Sequence, residues 1–261
     1  MSCCPPSSLP YLQSENKGEG SLEKVGSCEY YQTKNISGSK AILMVPDVWG
    51  WNSGSIRSSA DYFSEQGFCV VIPKLLDPAL NGGTDGDALP PDFKPGESFP
   101  EFKAYMQEHP FEGVMKERLI SLITHLIDTL GMTKIYTIGI CFGSWVTTHL
   151  AACEEPFTSK LQQGVAVHPS IHLEESIWAQ DTVALCSKAK KATLMMPCAN
   201  DPDRYREGGD VFMALQANNC SCCDFKEENM MHGFYTRGDN NDEAVQKCVE
   251  RATNEILAYF A

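Results

Sequence analysis

Basic residues are scarce in this chain: 21 Lys and Arg stand against 34 Asp and Glu, a formal net charge of −13 over 261 residues. A surface that negative repels phosphate backbones and anionic lipid, which argues against nucleic-acid and membrane-surface partners. Long apolar runs are missing too, and none approaches the roughly 18 residues that a membrane span needs. The opening Met-Ser-Cys-Cys-Pro-Pro lacks the basic and apolar stretches of a signal peptide, and Ser2 excludes myristoylation. There is no phosphate loop and no dinucleotide fingerprint. Cys220, Cys222 and Cys223 lack a second ligand pair at zinc-finger spacing and read as a strand entrance. No metal or organic cofactor is expected, and the expected address is cytoplasmic. Most of the 12 cysteines are then small buried hydrophobes rather than a disulfide scaffold.

What is present is the balance of a globular protein, 43% apolar and 21% charged, with length enough for one large α/β domain. Residues 1–27, rich in Ser, Gly and Pro, read as an irregular lead-in, and 28–261 as a single domain. Lys40 to Pro46 and Phe68 to Pro73 are apolar runs of buried-strand type, with a helical pattern over Ile56 to Gln66 between them. The Pro- and Gly-rich stretch 77–112 is a long excursion of the kind that is usually functional. Helix follows over Met115 to Leu130, strand over Ile135 to Ile140 and helix over Ser144 to Ala152. Val165 to Val167, Thr193 to Pro197 and Cys222 to Lys226 read as strands, and helices are expected near 208–218 and 242–260. Strands separated by helices imply parallel pairing with both faces covered.

The most informative stretch is Gly139-Ile140-Cys141-Phe142-Gly143, between a strand and a helix. It has the form of a G-x-S-x-G nucleophile elbow with sulfur in place of oxygen. So tight a turn excludes side chains two positions either side of the centre, hence the glycines. The helix terminus beyond it favours thiolate over thiol. A nucleophile needs a base. His109, His125 and His149 sit before a proline or within helical patterns, while His168 ends a strand before Pro169 and could point into a cleft. His232 lies on a late loop before the last helix, where the order nucleophile, acid, histidine puts the base. The acid should end a strand between the two. Asp201, in Asn200-Asp201-Pro202, fits, although an Asx-Pro turn has the same look, and Asp203 and Asp210 lie deeper in the next segment.

Together, Pro46-Asp47-Val48-Trp49-Gly50-Trp51-Asn52, Gly139-Ile140-Cys141-Phe142-Gly143, Asn200-Asp201-Pro202 and His232-Gly233-Phe234 resemble the dienelactone hydrolase family of carboxymethylenebutenolidase-like proteins. The likeness runs from about residue 28 to the end of the chain. It implies an α/β-hydrolase fold and a triad of Cys141, Asp201 and His232, with the N–H groups of Val48 and Phe142 as the oxyanion hole. Asp47 stands where the bacterial enzymes carry a Glu that contacts the thiol and helps convert it to thiolate. The family holds a substrate carboxylate with arginines. Arg237 matches one; where the other should lie, residues 77–112 offer only Lys94 and Lys103. Arg204 and Arg206, after Asp201, could compensate for it but read more readily as solvated surface. Trp49 is placed to line an apolar pocket.

The expectation is a cysteine-based esterase or lactonase acting through a thioester on a small ester or enol-lactone, carboxylate-bearing if Arg237 is used. Either a monomer or a homodimer is compatible with the chain. The alternative is a non-catalytic ligand-binding or redox-sensing protein on the same scaffold, with Cys141 as a reactive thiol, because fold does not dictate function.

Overall fold

The apolar runs of the sequence lie side by side as strands. The computed structural model describes residues 18–261. Its strands are β1 (Ser21–Val25), β2 (Cys28–Gln32), β3 (Lys40–Val45), β4 (Cys69–Pro73), β5 (Lys134–Ile140), β6 (Leu161–Val167), β7 (Thr193–Met196) and β8 (Ser221–Cys222). They form one sheet in the order β1-β2-β4-β3-β5-β6-β7-β8. From β4 across to β8 every pairing is parallel, and β2 alone runs against the rest, antiparallel to both β1 and β4. The central strands are buried on both faces, with Ala41 to Val45 and Ile135 to Ile140 all enclosed, as continuous apolar runs require.

The helices that cover the sheet are α1 (Ile56–Glu65), α2 (Phe99–Gln107), α3 (Lys116–Asp128), α4 (Phe142–Ala152), α5 (Leu173–Ser176), α6 (Thr182–Lys188), α7 (Asp210–Gln216), α8 (Phe234–Arg237) and α9 (Glu243–Phe260). In α3 the buried residues Leu119, Leu122, Ile123 and Leu126 recur at helical spacing, which turns one stripe to the core. Helix α4 is held by more than packing. Glu174 is buried beside it and accepts from Trp145 Nε1 at 2.6 Å and from His149 Nε2 at 2.9 Å. This α/β-hydrolase architecture fits the fold class expected from the sequence. No helix among the described residues is long and apolar enough to cross a membrane.

The sheet changes direction of growth at β3, with β4 on one side and β5 on the other. Beyond it the strand ends line up: Val45 sits opposite Gly139, Ile140 opposite Val167, and Val167 opposite Met196. The residues just past those ends therefore meet along one edge, where open parallel sheets hold their ligands.

Three expectations need correction. Residues 1–17 lie outside the described residues, but the rest of the supposed irregular lead-in carries β1, which pairs with β2 from Ser21↔Gln32 to Val25↔Cys28. Its side chains are almost all exposed, so an edge strand left no alternation to read. The excursion 77–112 contains α2, which buries Phe102, Tyr105 and Met106 at one-turn spacing. The strand expected over Cys222 to Lys226 shortens to Ser221–Cys222 plus an isolated bridge between Cys198 and Phe225.

Candidate active site

Cys141 is the single residue between β5 and α4 and sits in a backbone state that sterics disfavour, φ 52° and ψ −112°. The turn is fastened on both sides. Its N–H donates to the Val167 carbonyl at 3.0 Å, and its own carbonyl accepts from Ser144 N at 3.0 Å and Ser170 N at 3.2 Å. A Cβ on Gly139 would come within 2.5 Å of the Gly143 carbonyl oxygen, and one on Gly143 would collide with the Val45 carbonyl. The two glycines are thus steric requirements of the elbow. Cys28, Cys69 and Cys186 are free thiols buried elsewhere in the fold. Burial pushes the side chains of Cys28 and Cys186 up to about 12 and that of Cys69 to about 11, which leaves those three inert. The Cys141 sulfur lies 3.4 Å from Ser170 Oγ.

His232 Nδ1 lies 2.6 Å from Asp201 Oδ1, with both side chains buried. A carboxylate can only accept, so Nδ1 carries the proton and Nε2 presents its lone pair. The acid is fixed in turn: its other oxygen accepts from Cys198 N at 2.7 Å, just past β7. Asn200 Oδ1 accepts from His232 N at 2.7 Å and ties the histidine loop to the acid loop. Arg206, expected at the solvated surface, is instead enclosed beside the acid turn. Its side chain is only 11% exposed, reaches the carbonyls of Asp201 (2.8 Å) and Cys198, and pairs with Asp224 at 2.7 Å. It braces the acid turn. Arg204 pairs with Glu175 and Asp210 at the surface, away from any such role.

Asp47, just past β3, is wholly buried. Its carboxylate accepts from Trp49 N at 2.9 Å and Thr236 Oγ1 at 3.3 Å, and pairs with Arg237 Nε at 3.2 Å. Burial pushes its carboxyl above the ordinary carboxylate range, the Arg237 cation pulls it back, and the nearby Cys141 side chain adds to the upward push. Arg237 is 1% exposed and lies over the Trp49 ring at 4.4 Å from its centroid. The expected substrate cation is therefore an enclosed member of an Asp47–Arg237–Trp49 stack. Gly233 permits this closeness, since a Cβ there would stand 2.6 Å from the guanidinium carbon.

Val48 is buried between these groups and the excursion, and its carbonyl accepts from Leu89 N at 3.1 Å. Asp87 completes the clamp, accepting from Trp51 N at 2.9 Å and Leu76 N at 3.0 Å. Its enclosure pushes its carboxyl up to about 7 against those two hydrogen bonds. Phe142 is the first residue of α4, where N–H groups have no intrahelical acceptor. The backbone amides of Val48 and Phe142 come from segments that follow the adjacent strands β3 and β5.

The structure therefore brings Asp47, Val48, Trp49, Cys141, Phe142, Asp201, His232 and Arg237 to one edge of the sheet. It adds Ser170, Asn200, Asp87 and His168, whose ring centroid is 4.6 Å from that of His232. Of these, His168 had a readable signal in its place at a strand end. Asp87 had none within a Pro- and Gly-rich stretch. Among the described residues no group of His, Cys, Asp and Glu is arranged to hold a metal ion.

A family model described as the dienelactone hydrolase family matches residues 29–261. Along its whole length the chain is 24% identical to "Hydrolase tropI" of Talaromyces stipitatus and covers 97% of that protein. It is 26% identical over 121 residues to the "Carboxymethylenebutenolidase homolog" of Xenopus tropicalis, 46% of this chain and 44% of that one. In three dimensions it is similar to a dienelactone hydrolase from Anabaena variabilis, with a TM-score of 0.53 at 16% identity, covering 91% of this chain and 95% of that one.

Proposed function

This chain belongs to the dienelactone hydrolase family, hydrolases acting on ester or lactone bonds, and we propose that it cleaves a small ester or enol-lactone through a thioester on Cys141. The observation that carries this reading is the 2.6 Å contact between His232 and Asp201, because it leaves Nε2 as a base in the same buried cluster as the elbow thiol. His232 takes the thiol proton while Asp201 holds the tautomer and stabilises the imidazolium. The thiolate attacks the carbonyl carbon, and the oxyanion is received by the N–H groups of Val48 and Phe142. Collapse expels the alkoxide or enolate, which leaves with the proton from His232. Water then attacks the thioester with His232 as base, and the acid departs.

Arg237 and Trp49 form the substrate-facing wall in this proposal. With a net charge of −13, preference for an anionic substrate has to come from a local cation. A substrate carboxylate that replaced Asp47 on the guanidinium would gain a bidentate partner and release the Asp47 charge beside the thiol. Neither a metal nor an organic cofactor has a part in these steps. The cluster is enclosed, with Cys141 and His232 wholly buried, so entry requires a local opening of the kind common in lid-gated enzymes.

The test is hydrolysis of small aryl esters and lactones by the wild type and by Cys141→Ala, His232→Ala and Asp201→Asn. Each variant is expected to fold and to lose about 10³-fold or more in kcat/KM, with the Cys141→Ala/His232→Ala pair barely worse than either single. Asp203→Asn, at an exposed side chain, should keep its activity. Iodoacetamide should label Cys141 before any other thiol, with or without a small carboxylate present. Binding without turnover, with Cys141 labelled, would move the protein to the sensing class instead.

A further inference from the structure

His168 has no part in that mechanism, yet it stands inside the cluster. It is the first residue after β6, in a left-handed conformation with φ 35°. Its N–H donates to the Met196 carbonyl at 2.9 Å, which ties the turn to the neighbouring strand. The side chain is wholly buried, tilted at 56° to the His232 ring and edge-on to Phe234 at 6.0 Å between centroids.

The other buried histidines all have partners. His109 Nδ1 meets the Tyr105 carbonyl at 2.8 Å, His172 Nδ1 the Tyr205 hydroxyl at 2.7 Å, and His232 Nδ1 the Asp201 carboxylate. Among the described residues, no other residue offers either nitrogen of His168 a hydrogen-bond partner. An enclosed polar group left unmatched is costly, and native structures keep few of them. Burial foremost, and then the adjacent His232, holds the His168 imidazole well below its ordinary pKa. The ring is therefore neutral in the working range, with one donor and one acceptor.

We infer that His168 determines specificity by hydrogen-bonding a neutral oxygen, a hydroxyl or a carbonyl, on the acyl part of the substrate. The acyl part is indicated by the backbone. The segment from Val167 to Ser170 is bonded to Cys141 at both its N–H and its carbonyl, so His168 stays beside whatever remains attached to the sulfur. A neutral oxygen is indicated because an uncharged imidazole gives a carboxylate no counter-ion, and Arg237 is the nearby group suited to an anion. The substrate class is then a hydroxyacyl or oxoacyl ester or lactone. This inference rests on Cys141 being the acylated nucleophile.

The experiment compares matched esters with one leaving group, 4-nitrophenyl butyrate against its 3-hydroxy and 3-oxo counterparts, in the wild type, His168→Leu and His168→Gln. The ratio of kcat/KM values cancels any loss common to all substrates, including one from the strained backbone. The wild type should favour an oxygenated ester by about tenfold or more. His168→Leu should bring that ratio to about one, and His168→Gln, which keeps a donor and an acceptor, should restore part of it. No wild-type preference, or a preference that survives in His168→Leu, overturns the assignment. Mass spectrometry of the quenched reactions separates the two levels of the argument. If Cys141 is acylated while the ratio is indifferent to His168, the role of His168 fails alone. If Cys141 is never acylated, the nucleophile reading fails and takes this inference with it.

Discussion

Removing the Arg237 cation should cost far more than removing a typical surface arginine. Its pair with Asp47 spans 3.2 Å with the two side chains 1% and 0% exposed. At an effective dielectric near 20, unit charges at that separation attract by about 5 kcal/mol. The guanidinium over Trp49 at 4.4 Å adds about 1–2 kcal/mol. Arg237→Ala removes both and leaves Asp47 enclosed without its counter-ion, a situation that costs about 3–5 kcal/mol in buried pairs. For a chain of this length that corresponds to a fall of roughly 10 °C in Tm. Urea and thermal unfolding measure it directly. Asp47→Asn/Arg237→Met should recover at least half of the deficit, since the amide oxygen can still accept from Trp49 N and no charge is stranded. The pH dependence has a definite sign. Burial already raises the Asp47 carboxyl in the fold, with Arg237 opposing, so without Arg237 it rises further. A carboxyl raised on folding contributes stability below its unfolded value and loses it as pH climbs through the folded value. The deficit of Arg237→Ala should therefore shrink in acid and grow toward pH 8. A deficit under about 1 kcal/mol, a deficit flat in pH, or a double variant no better than the single would refute the coupling.

Two further outcomes follow from the clamp and the elbow. Asp87 moves from 3.8 to about 7 in the fold, so relative to Asp87→Asn the wild type should lose on the order of 4 kcal/mol as pH rises through that window; urea midpoints at several pH values check it, and a constant difference between the two proteins contradicts it. Gly143→Ala sets a methyl against the Val45 carbonyl and should lose more than about 3 kcal/mol or fail to fold, whereas Gly96→Ala, which meets open space and needs no positive φ, should be neutral or slightly stabilising in the same melt.

These cases also show which parts of the molecule could be read from sequence. The elbow was legible because its chemistry is written in adjacent residues: Gly139 and Gly143 are there for contacts within a few positions or with the next strand. Lys40–Val45 was legible because burial on both faces demands a continuous apolar run, and Lys116–Asp128 because burial of one face imposes a helical period. Where no such constraint acts, the pattern falls silent. Ser21–Val25 is an exposed edge strand, and β pairing through its backbone leaves its side chains almost unrestricted. Local pattern likewise cannot report a partner that the sheet brings from far along the chain. Arg237 was recognisable as a cation near His232, but its enclosure against Asp47 and Trp49 depends on β3 ending beside the loop that carries α8. Arg206 looked like surface for the same reason, since the carbonyls it braces belong to a turn placed by β7. His168 is the sharpest instance. Its position after a strand was plain, but whether its two nitrogens find protein partners depends on every segment packed around it, and among the described residues none supplies one. In a protein whose other buried histidines are all matched, that exception points to a group outside the protein, and the acyl side of the substrate is what the elbow would place there.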